Sequence, residues 1–405
     1  MHNQGILTDI GFLATCHETG GQGDIGPMES ASIAFSDGRI VWVGAADALP
    51  GSYADWNRYS AGGKTVIPGL VDCHTHLAFG GWRADEFRLK MQGASYLDIA
   101  AAGGGIRKTM RQTRGASEED LLAHCLHYAR KALELGVTAI ECKTGYGLSL
   151  EDELKILRVY QKLKSLVPQD IVATLLAAHV VPDECSKESY IAMICDELIP
   201  AVAKEKLAQF NDIFVENGAF TADDARRILG AGQAHGLAAK LHIDQLSDGN
   251  GGALAAEVGA VSADHLEFTS EEGMRAMASA GVVAVCLPFA SLYLNQPPMK
   301  ARTFIEAGVE VAVATDFNPG SAPSYDLPLA MMLACTTSRL TPAESLKGAT
   351  LYAAKAIQMS KEYGSIEVGK RANFAVIDSP NVDQWLYHFQ PNQCVQTWIN
   401  GQQIL

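Results

Sequence analysis

The strongest constraint on this chain is an alternation through its middle. Short apolar or β-branched runs are each followed by a longer stretch with helical spacing of apolar residues. The runs read as strands at Val66–His74, Val137–Lys143, Ile171–His179, Asp212–Glu216, Ala238–His242, Ala260–His265, Val282–Leu287 and Val311–Asp316. Helices are expected between them at Glu118–Leu135, Leu150–Leu166, Lys187–Val202, Ala222–His235, Ser270–Ala280 and Pro298–Ala307. Eight strand–helix units predict an α/β protein built on a (β/α)8 TIM barrel, a fold that carries its chemistry at the C-terminal ends of its strands.

The two ends of the chain follow another rule. Ala31–Phe35 and Ile40–Val43 flank Asp37-Gly38, a hairpin signal. Near the C-terminus, Ala372–Ile377 and Val395–Ile399 are followed by Asn400-Gly401. Two β-rich ends around one barrel predict a composite β-sandwich from residues 1–65 and 358–405, with the barrel spanning 66–357. The segment 100–105 reads as a loop after the first barrel strand, and the Gly-rich stretch 14–30 suggests no role.

Composition narrows the function classes. Of 405 residues, 48% are hydrophobic and 19% charged, which suits a large packed core. The net charge of −14 and the lack of a basic run argue against a nucleic-acid or anionic-membrane partner, leaving a small-molecule substrate. Nine scattered cysteines without a CxxC pair read as reduced thiols. No export signal or membrane span is apparent, so a cytoplasmic protein is expected. Large barrels of this kind often pair, and a homodimer is expected.

The sharpest chemical signal is Asp72-Cys73-His74-Thr75-His76, at the end of the apolar run Val66–Val71. Side chains two residues apart on a strand point the same way, so His74 and His76 can reach one ion. Imidazole suits Zn2+ or iron. His179, His242, His265 and Asp316 each close another predicted strand. Any one of them alone reads as a satisfied buried polar group. Gathered at one end of a barrel, they read as one site. Three imidazoles and a carboxylate leave room for a water, whose proton Asp316 can accept. His265 offers an additional base or oxyanion stabiliser.

The run V-I-P-G-L-V-D-C-H-T-H at 66–76 resembles the first-strand signature of the amidohydrolase superfamily, and 364–378 resembles its C-terminal return. The resemblance implies His74, His76, His242 and Asp316 as ligands of one metal ion, Zn2+ or Fe3+, with His265 beyond the ligand set. Binuclear members carry a carboxylated lysine on the fourth strand. Asp212–Glu216 offers none, and Lys143 on the second strand reads as a packing or ion-pair residue. Superfamily deaminases carry H-x-x-E after the fifth strand. Here Gln245 stands at that place, and an amide cannot shuttle a proton.

Substrate-facing residues come from the loops. Arg83 follows the first strand and can fork onto a carboxylate. Tyr96 and Tyr146 place phenols beside glycines, and Phe317-Asn318-Pro319-Gly320-Ser321 forms a polar turn after the eighth strand. The runs F-G-G-W-R at 79–83, G-G-G-I-R at 103–107, E-C-K-T-G-Y-G-L at 141–148, A-A-H-V-V-P at 177–182, K-L-H-I-D-Q-L at 240–246 and A-T-D-F-N-P-G-S at 314–321 are similar to the imidazolonepropionase family within that superfamily. That likeness implies hydrolysis of the ring C–N bond of an imidazolone carboxylate. It further implies Arg83, Tyr96, Tyr146, His179, Gln245, Asn318, Gly320 and Ser321 as substrate contacts, with Asp316, His265 and His179 in catalysis. The competing expectations are a deaminase of a heterocyclic base, which calls for Glu at 245, and a metal-free barrel without catalysis, which should have lost ligands.

Overall fold

The structure, a computed structural model, describes residues 4–93 and 103–405. Strands β1 (Gln4–Ala14), β2 (Pro27–Ser36), β3 (Arg39–Ala45), β4 (Asn57–Ser60) and β5 (Thr65–Pro68) precede the barrel. The barrel strands are β6 (Leu70–Thr75), β7 (Val137–Lys143), β8 (Asp170–Ala178), β9 (Phe210–Val215), β10 (Ala238–Ile243), β11 (Ser262–His265), β12 (Val283–Cys286) and β13 (Val311–Val313). After it come β14 (Phe374–Ile377), β15 (Cys394–Ile399) and β16 (Gln402–Gln403).

The run Val66–His74, expected as one barrel strand, is in fact two strands in two sheets. Thr65–Pro68 pairs with β1 and β14, whereas Leu70–Thr75 pairs with β7. Gly69 sits at the change of sheet, where the chains crowd: a Cβ there would lie 2.3 Å from Thr138 Oγ1. The apolar pattern is continuous across this point because both strands are buried, so hydrophobicity alone did not reveal the switch.

The barrel strands pair in sequence order from β6 to β13, all parallel. The ring closes through the chain just past β13. Asp316 N donates to His74 O (2.9 Å) and His76 N donates to Phe317 O (2.9 Å). Below them, Thr315 donates to Asp72 through its backbone N (3.1 Å) and its hydroxyl (2.6 Å). The closing seam therefore runs through the two segments richest in candidate ligands.

Helices lie between the barrel strands, and their starts were written in the sequence. Ser117, Ser149, Ser186, Thr221 and Ser270 each accept from the backbone N–H three residues on, as N-caps. The helix Leu327–Ser338 was not anticipated. It is largely apolar, so it shows no one-sided period. Among the described residues, no helix is long and apolar enough to cross a membrane.

The sheet from the two ends has the order β16-β15-β14-β5-β1-β2-β3, with β4 also pairing β1. Phe35 on β2 and Trp398 on β15 have ring centroids 5.6 Å apart. Strands four places apart in a flat sheet would be about 19 Å away, so the sheet must fold over its own core. Asp37-Gly38 and Asn400-Gly401 turn with φ of 51°, 79°, 51° and 69°, the positive pair a two-residue hairpin turn requires. The Gly-rich stretch near residue 20 ties this layer to the barrel. The Gln22 side-chain amide pairs with both N and O of Val311 (2.9 and 2.6 Å), and Lys347 Nζ donates to the carbonyls of Gly21 (3.0 Å) and Asp24 (2.9 Å).

Candidate active site

The C-terminal mouth of the barrel gathers the strand-end residues. His74 and His76 leave the same strand on the same side, with their Nε2 atoms 3.3 Å apart. Asp316 Oδ1 lies 3.3 Å from His74 Nε2 and 3.4 Å from His76 Nε2. His242 joins them: ligand atoms of His74, His76 and His242 all fall within 4.8 Å of one another, and all three residues are buried. Tetrahedral zinc at about 2.05 Å from its nitrogens separates neighbouring ligand atoms by about 3.3 Å. The observed spacings match that edge. His242 Nε2 is buried with no hydrogen-bond partner among the described residues, an orphan that a cation at this point would satisfy. The donor set therefore fits a metal ion.

Carboxylates hold two of these rings from behind. His74 Nδ1 meets Asp264 Oδ2 at 2.8 Å and His242 Nδ1 meets Asp212 Oδ1 at 3.1 Å. A carboxylate can only accept, so Nδ1 of each ring carries a proton and Nε2 is the nitrogen turned toward the cluster. Lys143 lies beneath, fully buried, 2.8 Å from Asp212 and 3.0 Å from Asp264. The ion-pair reading of Lys143 agrees with this. Asp212 and Asp264 went unnamed as functional residues in the sequence. Their signal was present: each is a charged residue inside a predicted barrel strand, where it must have a partner.

Burial sets most of the protonation states. It lowers His76 to about 4 and His265 to about 3, and takes His179 well below its usual range with help from His76 and His242. On Asp316, burial pulls upward but the contacts from His74 and His76 outweigh it, keeping the carboxylate ionised. His265 sits 5.4 Å from the His242 ring, centre to centre. Its φ is 78°, and that of Asp316 is 55°. Non-glycine residues in this left-handed region store about 1–3 kcal/mol of strain each, a feature that clusters at functional sites.

The rim is aromatic and cationic. The His179 ring stacks on His76 with centroids 5.4 Å apart and planes at 17°, and its Nδ1 meets Gly145 O at 3.1 Å. Tyr146 packs against both, 5.7 Å from His76 and 5.6 Å from His179. Arg83 arrives from the first loop. Its Nε (2.8 Å) and terminal nitrogen (2.7 Å) engage Glu86 Oε2, whose other oxygen accepts from Gly105 N (3.0 Å). The other terminal nitrogen of the guanidinium lies against Gly320, where a Cβ would stand 2.3 Å from it. Only glycine lets the eighth loop approach so closely. Glu86 is a site residue that sequence reasoning missed, since nothing in A-D-E-F distinguishes it from a helix-surface acid.

Asn318 is already engaged. Its oxygen accepts from Gly320 N (2.7 Å) and Ser321 N (2.8 Å), and its amide nitrogen donates to Asp316 O (2.7 Å) and Ser321 Oγ (3.0 Å). It shapes the eighth loop and fixes the backbone just after Asp316. Gln245 is half-buried two residues past the end of β10. Tyr96 and part of the loop expected at 100–105 fall outside the described residues.

Comparison with known proteins agrees with this geometry. The amidohydrolase family profile matches residues 65–404. The imidazolonepropionase of Geobacillus kaustophilus is 45% identical over 388 residues, covering 94% of this chain and 91% of that protein. That of Pseudomonas fluorescens is 46% identical over 368 residues, covering 89% and 91%. Among solved structures, a triazine hydrolase variant superposes with a TM-score of 0.78 at 13% identity, covering 100% of this chain and 95% of the other. A zinc-bound adenosine deaminase from Xanthomonas campestris gives 0.71 at 19%, covering 99% and 92%. At such identities these structures share the fold.

Proposed function

The chain belongs to the amidohydrolase family, and we propose that it is an imidazolonepropionase, hydrolysing the ring C–N bond of 4-imidazolone-5-propanoate to N-formimidoyl-L-glutamate. The reading is supported by relatives of that name at 43–46% identity over most of the chain. The observation that carries it into chemistry is the convergence of His74, His76 and Asp316 at tetrahedral spacing, with His242 beside them.

His74, His76, His242 and Asp316 would hold one ion, zinc or iron. When bound, the ion would bring the pKa of water toward neutrality and polarise the ring carbonyl. Arg83 takes the propanoate carboxylate at the rim, on the guanidinium side that Glu86 leaves free. Tyr146 packs beside the ring and, held protonated by burial, donates its phenol hydrogen. His179 Nδ1 donates to Gly145 O, so the neutral ring presents Nε2 as an acceptor, placed to take a ring N–H of the substrate.

Water adds to the ring carbonyl carbon and the bond from that carbon to the ring nitrogen breaks. Asp316 accepts the water's proton at its carboxylate. His265, uncharged and 5.4 Å from the His242 ring, is a further imidazole that can relay the proton from Asp316 to the departing nitrogen. Gln245 would read the ring polar groups by hydrogen bonding. Its amide argues against the deaminase alternative, and the complete ligand set argues against a scaffold without catalysis.

Asp316→Asn should abolish turnover, measured as ultraviolet loss of imidazolonepropanoate, while the far-ultraviolet spectrum stays native. Chelation should silence the wild type, with recovery on adding zinc or iron. Near-normal kcat in Asp316→Asn would remove the assigned role, and full activity after exhaustive chelation would remove the metal.

A further inference from the structure

Beneath the ion site the barrel interior is filled by charge. Glu141, Lys143, Asp212, Lys240 and Asp264 are all fully buried. Their placement follows strand periodicity. Lys143, Asp212 and Asp264 come from β7, β9 and β11, the second, fourth and sixth barrel strands, and so share one inward layer. His74 and His242 come from the first and fifth strands and project just above it.

Contacts within this layer are specific. Lys143 Nζ lies 2.8 Å from Asp212 Oδ2, 3.0 Å from Asp264 Oδ2 and 3.2 Å from Glu141 Oε1. The first two carboxylates are those that hold His242 and His74. Asp212 divides its oxygens, Oδ1 to His242 and Oδ2 to Lys143. Asp264 gives Oδ2 to both His74 and Lys143, and its Oδ1 accepts from Ser262 (3.1 Å). Lys240 takes the other face of Glu141 at 2.7 Å. One ammonium thus spans the two supports of two ligand histidines contributed by strands on different parts of the ring.

We propose that Lys143 is the positioning residue of the metal centre: its ammonium locks the Asp212 and Asp264 carboxylates together, and through them sets the direction and tautomer of His242 and His74. The inference rests on the metal reading above. Electrostatics gives the reason for a lysine. Two carboxylates a few ångströms apart in a dry barrel repel, and a mobile pair would let both imidazoles swing. A shared cation turns the repulsion into a rigid bridge. The ion then meets two preset lone pairs and loses little affinity to ordering them.

The test uses the full-length zinc-loaded protein and competing chelators of graded affinity. Lys143→Met should raise the zinc dissociation constant about 10–100-fold, the range seen when groups supporting metal ligands are lost. Nitrogen-15 spectra of histidine side chains after zinc removal should show His74 and His242 losing their Nδ1-protonated preference. Because Lys143→Met leaves the acids short of one positive charge, Lys143→Met/Glu141→Gln serves as its charge-matched partner. Glu141 touches neither His74 nor His242, and the glutamine oxygen can still accept from Lys240, so the double variant should fold and still bind zinc weakly. A folded variant with a zinc dissociation constant within twofold of wild type overturns the proposal. So does a charge-matched variant that cannot fold, because the ammonium would then serve the barrel. Wild-type protein that binds no zinc would instead remove the metal reading itself.

Discussion

Glu86 gives the most direct handle on the proposed reading of a substrate acid by Arg83. Its side chain is 5% exposed, and its Oε2 takes both the Nε and a terminal nitrogen of Arg83. Glu86→Gln keeps the shape and removes the charge. The single amide oxygen can then serve Arg83 or Gly105 N, and the amide hydrogens turn toward a donor whichever way it flips. Loss of a charge-assisted contact is worth about 1.5–3 kcal/mol, but Arg83 is 13% exposed and water recovers part of it. What substrate binding feels is the freed guanidinium, which regains up to about 2 kcal/mol of rotamer entropy that docking must remove again. A penalty of about 1–2 kcal/mol corresponds to roughly a 5–30-fold rise in KM. The carboxylate contact is the same in the bound substrate and in the transition state, so kcat should stay within about twofold. Steady-state kinetics on imidazolonepropanoate separates the two. An unchanged KM, or a fall confined to kcat, would refute the idea that Glu86 works by holding Arg83.

Two other perturbations probe the frame around the site. His124 packs edge-on against Phe79, and burial lowers its pKa to about 4 from an ordinary 6.5. The unfolded chain therefore takes up a proton there below about pH 6.5 that the folded chain refuses until about pH 4, so this residue makes stability fall as pH drops through that window. Denaturation midpoints of wild type and His124→Gln should diverge between pH 6.5 and 4, with the wild type losing more; parallel curves would remove the cause. Gly69→Ala places a Cβ 2.3 Å from Thr138 Oγ1 and 2.5 Å from its Cγ2, and a β-branched neighbour cannot turn aside easily. A loss of about 1–3 kcal/mol is expected in denaturant titration, and an unchanged midpoint would show that the change of sheet tolerates a side chain.

The residues of the site were readable where chemistry and periodicity coincide. His74, His76, His242 and Asp316 each close an apolar run, and a barrel brings such ends together whatever the intervening helices do. The hairpin turns at Asp37-Gly38 and Asn400-Gly401 were readable because their backbone geometry restricts the residues allowed. Legibility failed where neighbouring segments share one pattern. Val66–His74 is apolar throughout, so nothing local marks that Gly69 hands the chain from one sheet to another. It failed again where partners are distant. Glu86 is three residues from Arg83 yet gains its meaning from Gly105 and from the approach of Gly320, both set by tertiary structure.

The buried charges lie between these cases, and they show what a sequence alone can say about a site's support. A lysine or aspartate inside a barrel strand announces that a partner exists, because an isolated buried charge costs too much to persist. It does not say which partner. Lys143 could have been matched with Glu141 two residues earlier on the same strand, and that contact is present, but it is the longest of the three at 3.2 Å. The shorter ones reach across to Asp212 and Asp264, 69 and 121 residues away in sequence. Strand parity restricts which residues can share a layer, and the order of strands in the ring selects among them. A single ammonium can therefore join carboxylates from two further strands only where the sheet curls to bring alternate strands into one layer. Closure of the barrel therefore completes the cluster unevenly: Asp212 and His242 stand on neighbouring strands, whereas the seam bonds at His74 and Asp316 and the Asp264 carboxylate behind His74 join the first strand to the later ones.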